Sequence, residues 1–540
     1  MFKRILIVVC LISVVALPFA LRPEKDSAER ADETLVIITP HNEALRHEFG
    51  VGFRRWYRER MGKNVVIDWR VIGGTSEIAR FLEGEYTAAF ELYWTKTLGR
   101  QWSAEVQEAF QNPRLPAEAS EEARMARAMF LQSEISCGID LFFGGGPYDF
   151  IRQAQAGRIV DSGVMKKHPE WFRADVIPEE FAGEQYWDAQ GRWMGTVLSS
   201  YGIVVNLDAL KRLGVELPTR WDDLKNPRLF GEVALADPTK SGSIAKAFEN
   251  VIQQQMQRRL TELMAQQPDA TPEQLKQIEQ RAVEEGWTEG LRLMQLIGAN
   301  SRYFTDSSQK PPIDVAQGNA AAGMCIDFYG RQQQEAIERR DGPGRIAYVS
   351  PVGGSVNSVD PIALLRGAKN RAAAVAFIEY VLSMDGQKLW NFEPGTPGGP
   401  ERFALRRLPV RRDFYEKTEF AALRSDPDLP YEGSEQLIYR PAWTGSLFRE
   451  MSFVIRVMCL DTHHELRDAW RAIIDAGMPE EALTALQDLS AVDYAAASGR
   501  IRAALTSRNK ADELRLTTEL GNVFRERYAR AKAIARATER

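Results

Sequence analysis

The feature that most constrains this chain is a short strand that leads through a small polar loop into the start of a helix. The apolar run 233–236 predicts a buried strand, and Asp237-Pro238 ends it because proline cannot donate to a strand ladder. Hydroxyl residues that cap helices follow, and the free backbone N–H groups at such a helix start attract negative charge. Taken alone, the loop also fits an ordinary capped turn. The candidate binding residues in it are Thr239, Lys240, Ser241, Gly242 and Ser243.

The same construction occurs twice upstream. A strand over 65–72 runs into two glycines before a helix, and a strand over 138–143 runs into three glycines before another helix. Strands that alternate with helices predict βαβ units and a mostly parallel sheet. Neither loop has the spacing of a dinucleotide fingerprint or a Walker loop, so the sequence predicts no nucleotide site and no cofactor. The candidate binding residues in the two loops are Gly74, Thr75, Ser76, Gly145, Gly146, Tyr148 and Asp149.

Charge and length limit the classes of function. The chain has 69 Lys and Arg against 74 Asp and Glu, a net charge of −5. This balance argues against nucleic-acid binding, which needs a basic face. A chain of 540 residues exceeds the usual core of one domain, so we expect two lobes with additions.

The first residues predict export. A short basic start is followed by an almost unbroken apolar run that ends at residue 21, which is typical of a signal peptide and predicts the periplasm. Because the run ends in a poor cleavage site, an uncleaved anchor in the inner membrane is an open alternative. The widely separated Cys137, Cys325 and Cys459 fit neither a metal-ligand spacing nor a disulfide framework. We expect free thiols, with a bridge between Cys137 and Cys325 as the alternative.

Later segments predict connections between lobes and a helical end. The extended stretch 191–206 carries a glycine and serines in its middle, as a strand that crosses between domains would, and 346–365 predicts a second crossing. A buried strand over 320–326 ends in a polar and aromatic tip. Residues 253–285 predict a helical surface insertion, and the chain from residue 436 onward is mainly helical. The candidate binding residues at the first crossing and at the tip are Ser200, Tyr201, Asp327, Tyr329 and Arg331.

In this order, these segments resemble the type II periplasmic solute-binding proteins of ABC importers, in the iron/phosphonate-type extracellular family. The segments that carry the resemblance are Gly73–Glu77, Gly144–Phe150, Tyr201–Asn206, Trp221–Phe230, Asp237–Ser243, Ala321–Tyr329 and Asn370–Trp390. The resemblance implies an α/β fold of two lobes joined by two crossing strands that close on a ligand between them. The implied limits are 33–199 and 354–435 for lobe 1 and 200–353 for lobe 2. A helical extension, 436–540, exceeds the usual length of the family.

The resemblance leaves two classes of ligand. Family members that hold ferric iron use adjacent tyrosines. That pair is missing here because Phe328 stands beside Tyr329, which argues against a bare ferric site; if the ligand is iron, Asp327 and Tyr329 would hold it. Three hydroxyl-rich loops at helix starts, together with Lys240 and Arg331, favour a small anion instead: a phosphorylated sugar, a phosphonate or a carboxylate. For both cations, plain surface charge is the alternative interpretation.

We therefore expect a transport protein rather than an enzyme, a monomer that delivers the anion to a permease in the inner membrane. Two other classes stay open. An uncleaved anchor and the helical extension would suit a membrane-anchored sensor or scaffold, and a hydrolase on this fold would turn over a bound ester at Asp327 or Tyr329. The extension either packs over the cleft, where Tyr439 would join the site, or forms a dimerisation arm. Burial of its apolar residues within the same chain is the default expectation. The adjacent His463 and His464 lack metal-motif spacing and predict a surface pair.

Overall fold

The computed structural model of the chain describes residues 31–432, 437–507 and 509–538. The predicted signal segment, residues 1–21, lies outside the described residues. Within the described part, no helix is both long enough and apolar enough to span a membrane.

Strands and helices alternate through the first two thirds of the chain. The first part contains β1 Glu33–Ile38, α1 Glu43–Met61, β2 Val65–Arg70, α2 Thr75–Leu92, α3 Ala104–Ala109, α4 Glu121–Gln132, β3 Leu141–Phe143, α5 Pro147–Ala156, β4 Ile159–Val160, α6 Val164–Lys167, β5 Glu180–Phe181, β6 Glu184–Gln185 and β7 Trp193–Ser199. The next part contains β8 Tyr201–Asn206, α7 Leu207–Leu213, β9 Val233–Ala236, α8 Gly242–Gln266, α9 Pro272–Asn300, β10 Ser301–Thr305, α10 Lys310–Ala316, β11 Ala322–Ile326, α11 Asp327–Asp341 and β12 Ile346–Val349.

The remaining chain returns to strand and then becomes helical. It contains β13 Ser358–Leu365, α12 Arg371–Leu382, α13 Met384–Asn391, β14 Leu408–Pro409, α14 Arg412–Tyr415, α15 Pro441–Thr444, α16 Phe448–Ile455, α17 His463–Asp475, α18 Glu480–Leu486, α19 Tyr494–Ala496, α20 Arg502–Thr506 and α21 Lys510–Thr538. Short π-helical turns lie at Tyr93–Thr97, Arg456–Leu460 and Ala497–Ile501. Short 3-10 turns lie at Pro169–Phe172, Trp221–Lys225, Pro227–Leu229, Thr418–Leu423, Gly445–Leu447 and Ser490–Val492.

The first sheet has the strand order β14-β7-β13-β3-β1-β2, and β4 also pairs with β13. Strand β1 is parallel to β2 and β3, whereas β13 is antiparallel to β3, β4 and β7. Helix α1 covers this sheet. Asn42 caps the helix by accepting from the backbone N–H of Leu45, and Gly62 ends it in a left-handed conformation. Phe49 and Phe53 lie on the buried face that packs into the core of the sheet.

The second sheet has the strand order β10-β9-β11-β8-β12. Strand β9 is parallel to β10 and β11, whereas β8 is antiparallel to β11 and β12. The chain passes from the first sheet to the second between Ser199 and Tyr201, and it returns between Val349 and Ser358. The predicted two-lobed α/β fold with two crossings is therefore confirmed, while the domain limits themselves stay predictions.

The C-terminal helices share the hydrophobic core of the second sheet. Trp470 of α17 and Tyr528 of α21 are buried in the same core as helices α8 and α9. The indole N–H of Trp470 donates to Oδ1 of Asn300, at the end of α9, over 2.8 Å. The hydroxyl of Tyr528 donates to the backbone oxygen of Met458 over 2.9 Å. The helical region therefore completes the second lobe rather than standing apart from it.

The prediction of a helical surface insertion over 253–285 is confirmed for its middle, where residues 261–277 are exposed apart from Leu263 and Ala270, but it is wrong for 253–256, which are buried. Gln253 is fully buried and donates its amide to the backbone oxygen of Arg440, 187 residues later. Helices α8 and α9 pack so closely that a Cβ on Gly286 would lie 2.3 Å from the Cα of Met256. A glutamine-rich composition is typical of a solvated surface, but here distant backbone groups satisfy the amides and the C-terminal helices cover the pair.

Two predictions about isolated side chains have different outcomes. The cysteines Cys137, Cys325 and Cys459 are free thiols, as expected. His464 is exposed, but His463 is half-buried and its Nε2 lies 2.9 Å from Oγ of Ser301. The prediction of a surface pair is therefore wrong for His463, because the helical region packs against the second sheet at this point.

We expect Trp470→Ala to lower the free energy of unfolding by about 3–5 kcal/mol, because it leaves a cavity in the shared core. Urea denaturation followed by far-ultraviolet circular dichroism measures this change. Leu514→Ala is the control, since that side chain is 69% exposed and its loss should change stability by less than about 0.5 kcal/mol. Equal stability of the two variants would contradict a core shared by the second sheet and the C-terminal helices.

Candidate functional site

The three predicted loops meet at one place between the two sheets. A Cβ on Gly145 would lie 2.1 Å from Oγ1 of Thr75, the first residue of α2. A Cβ on Gly74 would lie 2.5 Å from the backbone oxygen of Lys240. Glycine is required at both positions because atoms of Thr75 and Lys240 lie too close for any side chain to fit. The N-termini of α2, α5 and α8 therefore converge.

Other residues of these loops occupy the same junction. A Cβ on Gly242 would lie 3.4 Å from Oδ2 of Asp149 and 3.9 Å from Oγ of Ser76. Ser241 caps α8 and Gly146 caps α5. The remaining loop residues have other positions: Thr239 donates its hydroxyl to Oδ1 of Asp237, Ser243 is half-buried in the first turn of α8, and Tyr148 packs on the ring of Phe448 at 4.4 Å.

A buried arginine lies at the strand ends beneath these loops. Arg407 precedes β14 and is 1% exposed. Its Nη2 donates to Oδ2 of Asp360 over 2.8 Å and to Oγ of Ser199 over 2.5 Å. Its Nε and Nη1 have no hydrogen-bond partner among the described residues. The guanidinium lies 4.2 Å from the ring centroid of Phe328, at the start of α11, so it sits where the two sheets meet.

His41 and Asp360 set the charge around Arg407. Burial lowers the pKa of His41 and outweighs the opposing effect of Asp360, so His41 is neutral at pH 7. Burial raises the pKa of Asp360, but Arg407 and His41 outweigh it and hold the pKa below its usual range. Asp360 is therefore ionised and balances the charge of Arg407, while two nitrogens of that arginine keep unused hydrogen-bond donors.

The predicted polar tip is the first turn of helix α11. The backbone N–H of Asp327 donates to the backbone oxygen of Ser200 over 3.0 Å, and the hydroxyl of Ser200 donates to Oδ2 of Asp327 over 3.3 Å. Burial raises the pKa of Asp327 to about 6, against the opposing effects of Arg331 and Arg407. These contacts tie the first crossing to the second sheet.

Two tyrosines at this junction stay protonated. Burial raises the pKa of Tyr201 and of Tyr329 above its ordinary value. A neutral phenol can donate a hydrogen bond to an anion, whereas a ferric ion takes the deprotonated form. Among the described residues there is no group of three or more His, Cys, Asp or Glu arranged to hold a metal.

The two cations that the sequence singled out are already paired. Arg331 contacts Asp428 and lies 3.5 Å from Asp426. Nζ of Lys240 donates to Oδ1 of Asp306 over 2.6 Å. Neither side chain brings an uncompensated charge to the junction, so the geometry does not support their expected role as anion ligands.

Sequence reasoning missed Arg407. It follows Arg406 in a short apolar context after a segment rich in proline and glycine, and no strand, loop and helix pattern surrounds it. The two arginines differ only in their neighbours in space: Arg406 contacts the carboxylate of Glu335, whereas Arg407 is buried with free donors. A pair of arginines between leucines was the one available signal, and it is not specific.

The C-terminal region lies across the junction of the two lobes. The backbone N–H of Tyr439 donates to the backbone oxygen of Ala182 over 2.8 Å, and its hydroxyl donates to Glu249 of α8 over 3.0 Å. Nζ of Lys246 lies 3.3 Å from the centre of the Tyr439 ring. It pairs with Glu184 of β6 at 2.5 Å and with Glu249 at 2.9 Å. Of the two expected roles of the extension, packing at the junction is the one that this geometry favours.

Comparison with known protein families identifies a family for the central part of the chain. Residues 139–406 match the family of bacterial extracellular solute-binding proteins. This segment belongs to the bacterial extracellular solute-binding proteins. The matched residues include two of the three converging loops, the whole second sheet and both crossings between the sheets. The family is one of substrate-binding transport proteins, and its extracellular location agrees with the expected export.

The individual proteins that match this chain have low sequence identity to it. An uncharacterized protein of Haemophilus influenzae is 27% identical over 252 residues, which is 46% of this chain and 60% of that protein. The phosphoglycerate transport regulatory protein PgtC of Salmonella typhimurium is 22% identical over 288 residues, which is 52% of this chain and 57% of that protein. The matches thus span at most 60% of the length of these relatives.

Among solved structures, the fold is similar to that of the periplasmic binding protein AfuA from Actinobacillus pleuropneumoniae, determined with fructose-6-phosphate bound. The TM-score is 0.46 at 15% identity, over 82% of this chain and 98% of that protein.

We expect Lys246→Met to lower the free energy of unfolding by about 3–5 kcal/mol at pH 7, because it leaves two buried carboxylates without a cation. Chemical denaturation measures the loss, which should shrink at lower pH as Glu184 takes up a proton, since burial raises the pKa of that carboxyl. Lys166→Met is the control, since it removes an exposed pair with Asp161 and should cost less than about 1 kcal/mol. Similar losses in both variants would contradict a structural role of the buried cluster.

We expect Asp149→Asn to stabilise the protein at pH 7 by up to about 3 kcal/mol. Asp149 is 6% exposed, and burial raises the pKa of its carboxyl to about 6, despite the nearby Arg152 and Arg80. The folded state therefore holds this proton more tightly than the unfolded chain, and wild-type stability falls as pH rises through the interval from about 4 to about 6.

Urea denaturation at pH 4, 5.5 and 7 checks this prediction, because the gain from Asp149→Asn should vanish near pH 4. Asp269→Asn, at an exposed aspartate between α8 and α9, is the control and should show no such pH dependence. A difference between Asp149→Asn and wild type that is constant with pH would show that Asp149 does not ionise in this range.

Proposed function

We propose that this protein is the substrate-binding component of an ABC importer, which captures a small anionic solute between its two sheets and delivers it to an inner-membrane permease. Membership of the extracellular solute-binding family supports capture and transport. The observation that carries the choice of an anion is Arg407, a buried guanidinium with two nitrogens free to donate at the point where the sheets meet.

The donors at this junction suit phosphate and carboxylate groups. A guanidinium binds such groups through two parallel N–H donors, and Nε and Nη1 of Arg407 are the two nitrogens left free. The N-termini of α2, α5 and α8 add backbone N–H groups and the positive ends of three helix dipoles. Protonated Tyr201 and Tyr329 add hydroxyl donors. A phosphorylated sugar, a phosphonate or a carboxylate offers the matching acceptors.

Capture and release follow from the fact that these hydrogen-bond donors come from both lobes. Arg407 and the starts of α2 and α5 belong with the first sheet, whereas the start of α8 and Tyr329 belong with the second. A solute that contacts both sets favours the arrangement in which the sheets meet, and separation of the sheets releases it. The name of the Salmonella relative refers to phosphoglycerate, which carries both a phosphate and a carboxylate and is of this class.

A second candidate function is a ligand sensor, and the position of the extension favours it. Tyr439, just before α15, contacts both the β5–β6 turn and helix α8. Phe448 of α16 packs on Tyr148 of the first lobe, so the C-terminal helices are in contact with both lobes. A partner that binds these helices would therefore detect whether the lobes are together. Crosslinking of the native protein to membrane partners separates the two functions: an importer predicts a permease, and a sensor predicts a signalling protein instead.

We expect Arg407→Gln to weaken the binding of phosphorylated or carboxylated solutes at least about tenfold, because it removes charge-assisted hydrogen bonds. Isothermal titration calorimetry with 3-phosphoglycerate, glucose 6-phosphate, methylphosphonate and citrate measures the effect on the full chain, and circular dichroism checks folding. Arg331→Gln is the matched control and should change affinity less than about twofold, because Asp426 and Asp428 already neutralise that arginine.

Unchanged affinity in Arg407→Gln would overturn the proposed anion site. Stoichiometric iron in the purified protein, lost in Tyr329→Phe, would replace it with the ferric alternative at Asp327 and Tyr329.

A further inference from the structure

A separate groove lies on the outer side of the three converging loops. Its volume is about 860 Å³, and its walls come from helices α2 and α5, the loop after β9, and the C-terminal helices α16 and α21. Arg407 does not line it. The groove therefore opens beside the proposed solute site. It shares Ser76, Tyr148, Asp149, Thr239 and Lys240 of the three loops with that site, but its arginines are different ones.

The floor of the groove contains a buried arginine with neutral partners. Arg158 is 6% exposed; its Nη1 donates to Oε1 of Gln153 over 2.8 Å, and its Nε donates to Oε1 of Gln111. The carboxylate that pairs with it is Glu83, 3.8 Å away and largely exposed. Burial lowers the pKa of Arg158 to about 10, and Arg152 adds to this effect. Two amides thus hold a buried cation in place without neutralising it.

Two more arginines line the groove without a direct ion pair. Arg80 of α2 and Arg152 of α5 are exposed, and neither forms an ion pair or a hydrogen bond with another described residue. The guanidinium of Arg152 lies 5.8 Å from the ring centroid of Tyr148, and that ring packs on Phe448 of α16. The C-terminal region therefore helps to place Arg152.

The acidic side chains nearby do not cancel this charge. Asp149 lines the groove with a carboxyl whose pKa burial raises to about 6, and its side chain has no hydrogen-bond partner among the described residues. Over the whole lining, seven basic side chains face five acidic ones. The basic residues are Arg80, Arg152, Arg158, Lys240, Arg449, Arg456 and Lys510, and the acidic residues are Glu77, Glu83, Glu108, Asp149 and Glu513.

We propose that this groove is a second anion-binding site, which takes a small dianionic oxyanion such as a phosphate ester or a dicarboxylate through Arg80, Arg152 and Arg158. Thr239 of the second lobe and Arg449 of α16 line the same groove. An anion held there contacts both lobes and the C-terminal helices, and it therefore stabilises the arrangement in which they meet. The site does not depend on the proposed solute site.

The test separates the two sites by starting from the Arg407→Gln variant, in which the proposed solute site is disabled, and adding substitutions in the groove. Isothermal titration of this full-length variant with inorganic phosphate or succinate at pH 7.5 should still show one binding event per chain. Adding Arg80→Gln and Arg152→Gln should weaken that event at least about tenfold. Both arginines are exposed, so the fold should be unaffected. Adding Arg152→Lys alone should weaken it less than Arg152→Gln does, because the charge is kept.

The matched control adds Arg114→Gln, an exposed arginine of the first lobe that does not line the groove, and should leave the affinity unchanged. Loss of all anion binding in Arg407→Gln alone would overturn the second site and leave the proposed function standing. Binding that survives in the variant with Arg80→Gln and Arg152→Gln would also overturn it. If Arg407→Gln leaves every affinity of the wild type unchanged and Arg80→Gln with Arg152→Gln abolishes binding, the groove stands and the proposed function fails.

Discussion

The arrangement of the two lobes depends on one buried cation. Lys246 lies in helix α8 and pairs with Glu249 of the same helix and with Glu184 of β6, beside the first sheet. A buried ammonium is strongly unfavourable without such partners, and the pair with Glu184 forms only when the lobes are together. The ring of Tyr439 covers the same cation and adds the C-terminal region to the cluster. Because α8 also begins at one of the three converging loops, this cluster fixes the loop that the proposed solute site uses.

The two proposed anion sites use buried arginines in different ways. Arg407 is balanced by Asp360 and keeps two nitrogens free, so it offers directed hydrogen bonds more than net charge. Arg158 is held by the neutral amides of Gln111 and Gln153, so it offers net charge. The first arrangement suits recognition of a particular group in a closed space, because orientation then matters. The second suits attraction of any small dianion to an open groove.

Some parts of this structure follow from local sequence patterns, whereas others depend on contacts between residues that are far apart in the chain. The three strand-to-helix loops were predictable because each depends on a few consecutive residues, such as the glycines before Thr75 and the hydroxyl cap Ser241. The crossing at Ser200 was predictable because small residues interrupt an otherwise apolar strand. The burial of Gln253 was not, because the backbone oxygen of Arg440 that satisfies its amide lies 187 residues away. No local sequence pattern distinguishes a buried glutamine amide of this kind from one that is exposed to water.

By itself, the sequence determined the order of strands and helices, the presence of two lobes and the glycine-rich loops at helix starts, because these follow from short-range periodicity and backbone preference. Tertiary structure alone decided which charges remain available. Arg331 was a candidate by its position two residues after Tyr329, yet Asp426 and Asp428 neutralise it. Arg407 had no specific signal in the sequence, yet burial leaves its donors free. The physical reason is that the charge state and the unused hydrogen bonds of a side chain depend on neighbours in space, and here those neighbours are tens to hundreds of residues distant.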